Sequence, residues 1–179
     1  MRIAIVTLDT FGQKMAGPAI RVWEMAGLLS SEHEVEVFTF GAVEREGEGF
    51  RLRRTRVEDF RGELGQPDVV IIQGYLVRTF PWLATSAFKL VVDLYDPFHI
   101  ESLQVERFHP MDERQRAIDH ALGELNAQVR GGDFFLCASN KQRDLWLGHL
   151  AALGRINPLT YDDDPVSYTH LRAHETLRY

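Results

Sequence analysis

Short apolar runs alternate along the chain with longer stretches whose apolar residues recur every three or four positions. "RIAIVTL" (2–8) is almost continuously apolar and of strand length. "EVEVFTF" (34–40) and the first half of "FRLRRTRV" (50–57) alternate in polarity, as half-buried strands do. "DVVIIQG" (68–74) has the profile of a buried parallel strand, and "KLVVDLY" (89–95) and "DFFLCAS" (133–139) predict two more. Helical periodicity fills the intervals. Pro18 opens a helix that runs to about Ser30, with Ile20, Trp23 and Leu28 on its apolar face. A helix around 76–87 is started or kinked by Pro81. The longest amphipathic helix spans 111–130 and is stopped by Gly131-Gly132. The last, 140–154, is anchored by Leu145, Leu147, Leu150 and Leu153.

Strands separated by helices predict an α/β fold: a Rossmann-like parallel sheet with helices on both faces, in one domain over 1–165. Ligands of such sheets sit beyond the carboxyl ends of the strands. Here those ends lead into 9–17, Gly74-Tyr75, 93–99 and Ser139-Asn140. The chemistry is expected on these loops.

Composition narrows the partners. The 179 residues carry a net charge of −6, which disfavours general nucleic-acid binding, where phosphate neutralisation dominates. The single cysteine, Cys137, lies in an apolar run, reads as a buried small hydrophobe, and fits a reducing, cytoplasmic setting. The apolar runs are short of a membrane span, and the N-terminus lacks a cleavable signal pattern. Arg51, Arg53, Arg54, Arg56 and Arg61 form a basic cluster in an acidic chain. They are either a solvated strand face or a contact for an acidic membrane surface or phosphorylated acceptor, at the inner face of the membrane. Trp23, Trp82 and Trp146 read as core or domain-interface residues.

The loop "DTFGQKMAGPAIR" (9–21) follows the first strand and opens a helix. A helix start offers unpaired N–H groups and the positive end of a dipole, and Gly17 lets an anion come close to the backbone. Gly12, Ala16, Gly17 and Arg21 are therefore candidate binding residues. The alternative is a tight connection whose glycines serve only backbone angles. Neither G-x-G-x-x-G nor G-x-x-x-x-G-K-[ST] occurs. "DLYDPFHIE" (93–101) gathers Asp93, Tyr95, Asp96, His99 and Glu101 within one strand end. These residues either orient a sugar hydroxyl or, at Asp96-Pro97, form a turn and helix start. Their spacing matches no metal-ligand pattern, so no metal is expected. Ser139 is first a helix cap and second a ligand contact.

The end of the chain reads differently. "VSYTHLRAHETLRY" (166–179) has neither strand nor helix stripe, and 166–175 match one reading frame of a transposon-end sequencing adapter. It is expected to be a non-native, disordered tail on an incomplete protein. That reading outweighs a metal site at His170 and His174, which are spaced i, i+4.

In order and spacing, "RIAIVTLDTFGQKMAGPAIRVWEMAGLL", "PDVVIIQG", "KLVVDLYDP" and "DFFLCASNKQRDLWLGHLAALGR" resemble the N-terminal domain of a family-4-type glycosyltransferase of the GT-B fold. The resemblance covers 1–157. It implies two Rossmann-like domains across a cleft, this one on the acceptor side. It also implies transfer from a nucleotide-diphosphate sugar to a sugar, lipid or small-molecule hydroxyl, with retention and without a metal or other cofactor. Ala16-Gly17 match the loop whose amides approach the donor diphosphate. The family's frequent histidine after the matching strand is replaced by Asp93-Leu94-Tyr95-Asp96, which leaves Tyr95, Asp96 and His99 for acceptor positioning. The donor-domain glutamate pair has no counterpart here, so the chain alone is expected to be inactive. The alternatives are a Rossmann-like nucleotide- or NAD-binding protein and a stand-alone flavodoxin-like module.

Overall fold

The structure is a computed structural model and describes residues 1–163 and 171–173. The expected α/β class is what the chain forms: most strands joined through helices, β2 and β3 through a loop, every described ladder parallel, in the Rossmann-like manner. The chain divides into two compact units, Met1–Gly74 with Ala87–Leu90, and Tyr75–Ser86 with the chain from Val91 on.

In the first unit the strand order is β3-β2-β1-β4 (Arg51–Arg54, Glu34–Thr39, Arg2–Thr7 and Val69–Ile72). Ile5 of β1 lies beside Val37 on one side and Ile71 on the other. Residues 3–7 of β1 are all buried, so both faces of this strand are covered, which is why its sequence is apolar without alternation. Helix α1 (Gly17–Ser30) buries Ala19, Val22, Trp23 and Ala26 and packs on β1 and β2. Trp23 meets Phe50 edge-on at 5.0 Å, and the Arg45 guanidinium sits 3.7 Å over its ring, so this tryptophan is core with a charged lid. A short helix α2 (Phe60–Leu64) sets Phe60 against Phe38 and Phe40. The sequence does not disclose it, because five residues are too few to show a period.

The second unit is built on the end of β5 (Lys89–Asp93) and on β6 (Phe134–Cys137), which pair Val92 with Phe135. The helix expected over 76–87 is a 3-10 segment, Pro81–Thr85. Proline at its start cannot donate a backbone hydrogen bond, and only one tight turn follows. Helix α3 (Phe98–Val105) follows Asp96-Pro97. Helix α4 (Met111–Gly131) buries Ala121, Leu125 and Val129 together with two polar residues, Glu124 and Gln128. Helix α5 (Asn140–Ala152) buries Trp146 and Leu150, and α6 is Pro158–Asp163. Cys137 is buried, as its apolar surroundings predict, and its thiol donates to Ser139 O at 3.6 Å.

Leu171–Ala173 forms a short strand, β7, parallel to β6 with Leu136 opposite Arg172. Three residues carry no legible stripe. The rest of the 166–179 segment, with the His170 and His174 pair, lies outside the described residues.

Candidate functional site

The loop leaving β1 has two halves with different duties. Its first half is tied to the loop that leaves β2. Phe11 donates its N–H to Ala42 O at 2.9 Å and accepts the N–H of Glu44 at 2.8 Å. The Thr39 hydroxyl donates to the Asp9 carbonyl, and the Gly41 N–H donates to Thr39 Oγ1 at 2.9 Å. At Gly41 a Cβ would lie 2.4 Å from the Asp9 carbonyl oxygen, so the two loops approach as closely as backbone can. Gly12 belongs to this welded half. It is buried, and the space its side chain would occupy is taken by the Glu44 carboxylate at 2.5 Å. An anion brought to Gly12 would meet that carboxylate.

The second half is open. Ala16 is the N-cap of α1, in extended conformation, and no described side chain caps the helix. The first intrahelical bond runs from Ile20 N–H to Ala16 O, Pro18 has no N–H, and the first turn holds no acidic residue. Ala16 and Gly17 are exposed, and no atom lies within 4 Å of where a Cβ on Gly17 would sit. The positive end of the dipole at Gly17 therefore faces open space, while Ala19, the next residue of the turn with an N–H, is fully buried. Arg21 stands one turn further on, half-buried.

The second unit collects the other candidates. Asp96 and His99 flank the start of α3, both half-buried, and the single atoms Asp96 Oδ1 and His99 Nδ1 are shut off from solvent with no hydrogen-bond partner among the described residues. Burial, then a hydrogen bond with the Glu101 carboxyl and its charge, raises the Asp96 pKa from 3.8 to about 6. Tyr75 lies against Phe98, with ring centres 4.7 Å apart, and stacks on His120. Its phenol is held above the usual range by burial, then by the charges of Asp96 and Glu124. His99 is lowered by burial and then by His149, and His149 by burial. A carboxyl held above its ordinary range and an imidazole held below its own thus stand at the start of one helix, and a hydroxyl can hydrogen-bond to either kind of group.

Behind this cluster stands α5. Trp146 Nε1–H donates to Leu94 O at 2.8 Å, and Gln142 Nε2–H donates to Tyr95 O at 2.6 Å. Tyr95 thus enters the site through its main chain. Ser139 is a cap: its Oγ accepts the Gln142 N–H at 3.2 Å. The sequence reading missed Glu124, Gln142 and His149. Glu124 and Gln128 were the legible pair, since both fall in the apolar stripe of α4, where a polar residue must have a partner. Glu124 accepts the N–H groups of Val77 and Arg78 and the amide of Gln128.

The five arginines of the basic cluster are all solvent-exposed, and two of them are paired on the strand face. Arg51 pairs with Glu34 and Glu36, and Arg53 with Glu36 and Glu63. Among the described residues no three His, Cys, Asp or Glu side chains gather as a metal would require, and no helix is long and apolar enough to cross a membrane.

No family model and no curated protein matches the chain. Among solved structures it is similar to Anabaena Alr3699/HepE in complex with UDP, at 12% sequence identity and a TM-score of 0.49. The match covers 86% of this chain and 41% of that one, so the chain spans less than half the length of the structure it matches.

Proposed function

We propose that this chain is the acceptor-side domain of a nucleotide-sugar glycosyltransferase, acting with a donor-side domain, with retention of anomeric configuration and without a metal. The observation that carries the reading is the uncapped, unobstructed start of α1 at Gly17, directly after a parallel strand of the sheet. The sequence resemblance over 1–157 supports it.

In this reading the donor diphosphate approaches the amides at Ala16-Gly17. Negative charge grows on the departing diphosphate, and fixed N–H groups lower the energy of that state without having to reorganise. Asp96 and His99 hold the acceptor hydroxyl, and Tyr75 walls the same side. Gly12 serves the fold, and Ser139 serves α5. The donor-side domain supplies the remaining contacts and excludes water on closing.

Calorimetric titration of the 179-residue chain with uridine and guanosine diphosphates tests the first step. Weak, saturable binding that competes with pyrophosphate is expected. Saturable binding of NAD with none of either diphosphate would replace this reading with the dinucleotide-binding one. Incubated alone with nucleotide sugars, the chain is expected to turn over none, because half of the catalytic apparatus belongs to the partner domain.

A further inference from the structure

We infer that Gln142 and Trp146, one helical turn apart on α5, are positioning residues for Asp96 and His99, and that Gln142 acts as an inserted peptide group between the ends of β5 and β6. This goes deeper into the acceptor side of the proposed function and rests on that reading only for its catalytic meaning.

The β5–β6 ladder extends to Leu94, whose N–H donates to Leu136 O at 2.8 Å. The next two carbonyls of the β5 end are held by side chains of α5. Leu94 O accepts from Trp146 Nε1 at 2.8 Å, and Tyr95 O accepts from Gln142 Nε2 at 2.6 Å. Gln142 also faces the other strand, because its Oε1 accepts the Ala138 N–H at 2.8 Å, one residue past the end of β6. A single side-chain amide thus donates to one strand end and accepts from the other, as a peptide unit would in a parallel ladder. Its own N–H is fixed by Ser139 Oγ at 3.2 Å, which sets the first turn of α5.

Trp146 does the same work through packing. It is buried, and its ring lies 5.9 Å from His99 and 6.4 Å from His149. His149 is held in turn through Nε2 and Asn126 Oδ1 at 2.9 Å. The backbone that delivers Asp96 and the ring of His99 are therefore both referenced to one face of one helix. A site whose groups must be held within a fraction of an ångström needs such backing.

The test is nuclear magnetic resonance of the 179-residue chain and its Gln142→Met variant. Methionine keeps the length and packing of glutamine and removes both hydrogen bonds. Exchange of the Ala138 amide is expected to speed up by about tenfold, the order of one lost hydrogen bond. The His99 titration should move up and the Asp96 titration down, each toward its ordinary range. Gln142→Glu still accepts from Ala138 and loses only the donor to Tyr95. It should keep the slow Ala138 exchange and still move Asp96 downward, against the upward pull of the added charge. If Asp96 and His99 titrate as in the parent while the Ala138 amide loses protection, Gln142 is a splint for the strands only and the inference fails. Trp146→Phe is the second variant, removing the Leu94 bond and keeping an aromatic ring. None of these measurements uses a nucleotide, so absent diphosphate binding would overturn the function proposed above and leave this inference standing.

Discussion

The carboxylate of Glu124 accepts the backbone N–H of Val77 at 2.7 Å, across 47 residues of sequence. Its other oxygen accepts the Arg78 N–H at 3.0 Å, so one acidic side chain in the buried stripe of α4 satisfies a stretch of chain that has just left Gly74. Replacing it by leucine would leave two backbone N–H donors and the Gln128 amide without this acceptor. Glu124→Leu is expected to destabilise the protein by about 2–5 kcal/mol, and Glu124→Gln, which keeps one acceptor, by about 1–2 kcal/mol. Urea unfolding checks both, and equal losses would show that packing rather than hydrogen bonding governs the position.

Gly41 and Gly12 make a contrasting pair. At Gly41 the added methyl collides with a backbone carbonyl, at Gly12 with the far end of a flexible glutamate. Gly41→Ala is expected to cost about 1–3 kcal/mol. Gly12→Ala, although buried, should cost less, about 0.5–1 kcal/mol, because the Glu44 side chain can swing aside. Thermal melts of the two variants side by side decide it.

Gly17 has room for any side chain. Gly17→Asp would place a carboxylate on the first turn of α1, with an expected gain of about 0.3–1 kcal/mol from the helix dipole. The same charge should abolish nucleoside diphosphate binding, whereas Gly17→Ala changes stability little. A Gly17→Asp protein that binds the diphosphate as tightly as the parent would remove this helix start from the site.

Asp96 gives the stability a recognisable dependence on pH. Its folded pKa of about 6 lies above the ordinary 3.8, so between these values the folded state holds more protons than the unfolded. Its contribution is complete at the acid end of that window and is lost as pH rises through 6. His99 and His149, lowered below 6.5, act oppositely, because the folded state holds fewer protons there and their effect opposes folding as pH falls. In Asp96→Asn the first trend is removed and the second remains. The rise in melting temperature from pH 5 to pH 7 is therefore expected to be larger in Asp96→Asn than in the parent, and an unchanged difference would contradict the assignment.

Much of this was legible before any coordinates. The unbroken apolar run of β1 announces a strand covered on both sides, and Pro18 marks the start of α1 within a residue. The end of β5 was read too long because apolar character runs on past Asp93. Leu94 is buried just beyond Lys89–Asp93, where its N–H still reaches Leu136 O but its carbonyl is taken by the Trp146 side chain. Helix α3 carries Ile100, Leu103 and Val105 exposed, so no buried stripe exists to be read. At the site, the cluster 93–101 was visible because its chemistry is contiguous. Gln142 was not, because a glutamine on a helix looks the same whether it faces water or splices two strands. The proximity of Glu44 to Gly12 depends on pairing between two loops 30 residues apart, which no local pattern encodes.

Strand β3 lies at the end of the strand order, and arginine and glutamate alternate across it and its neighbour, Arg51 and Arg53 against Glu34 and Glu36. A further strand laid along that flank would bring its own side chains beside this row of charges, which disfavours an apolar, uncharged partner. The protein should therefore resist fibre formation through this side.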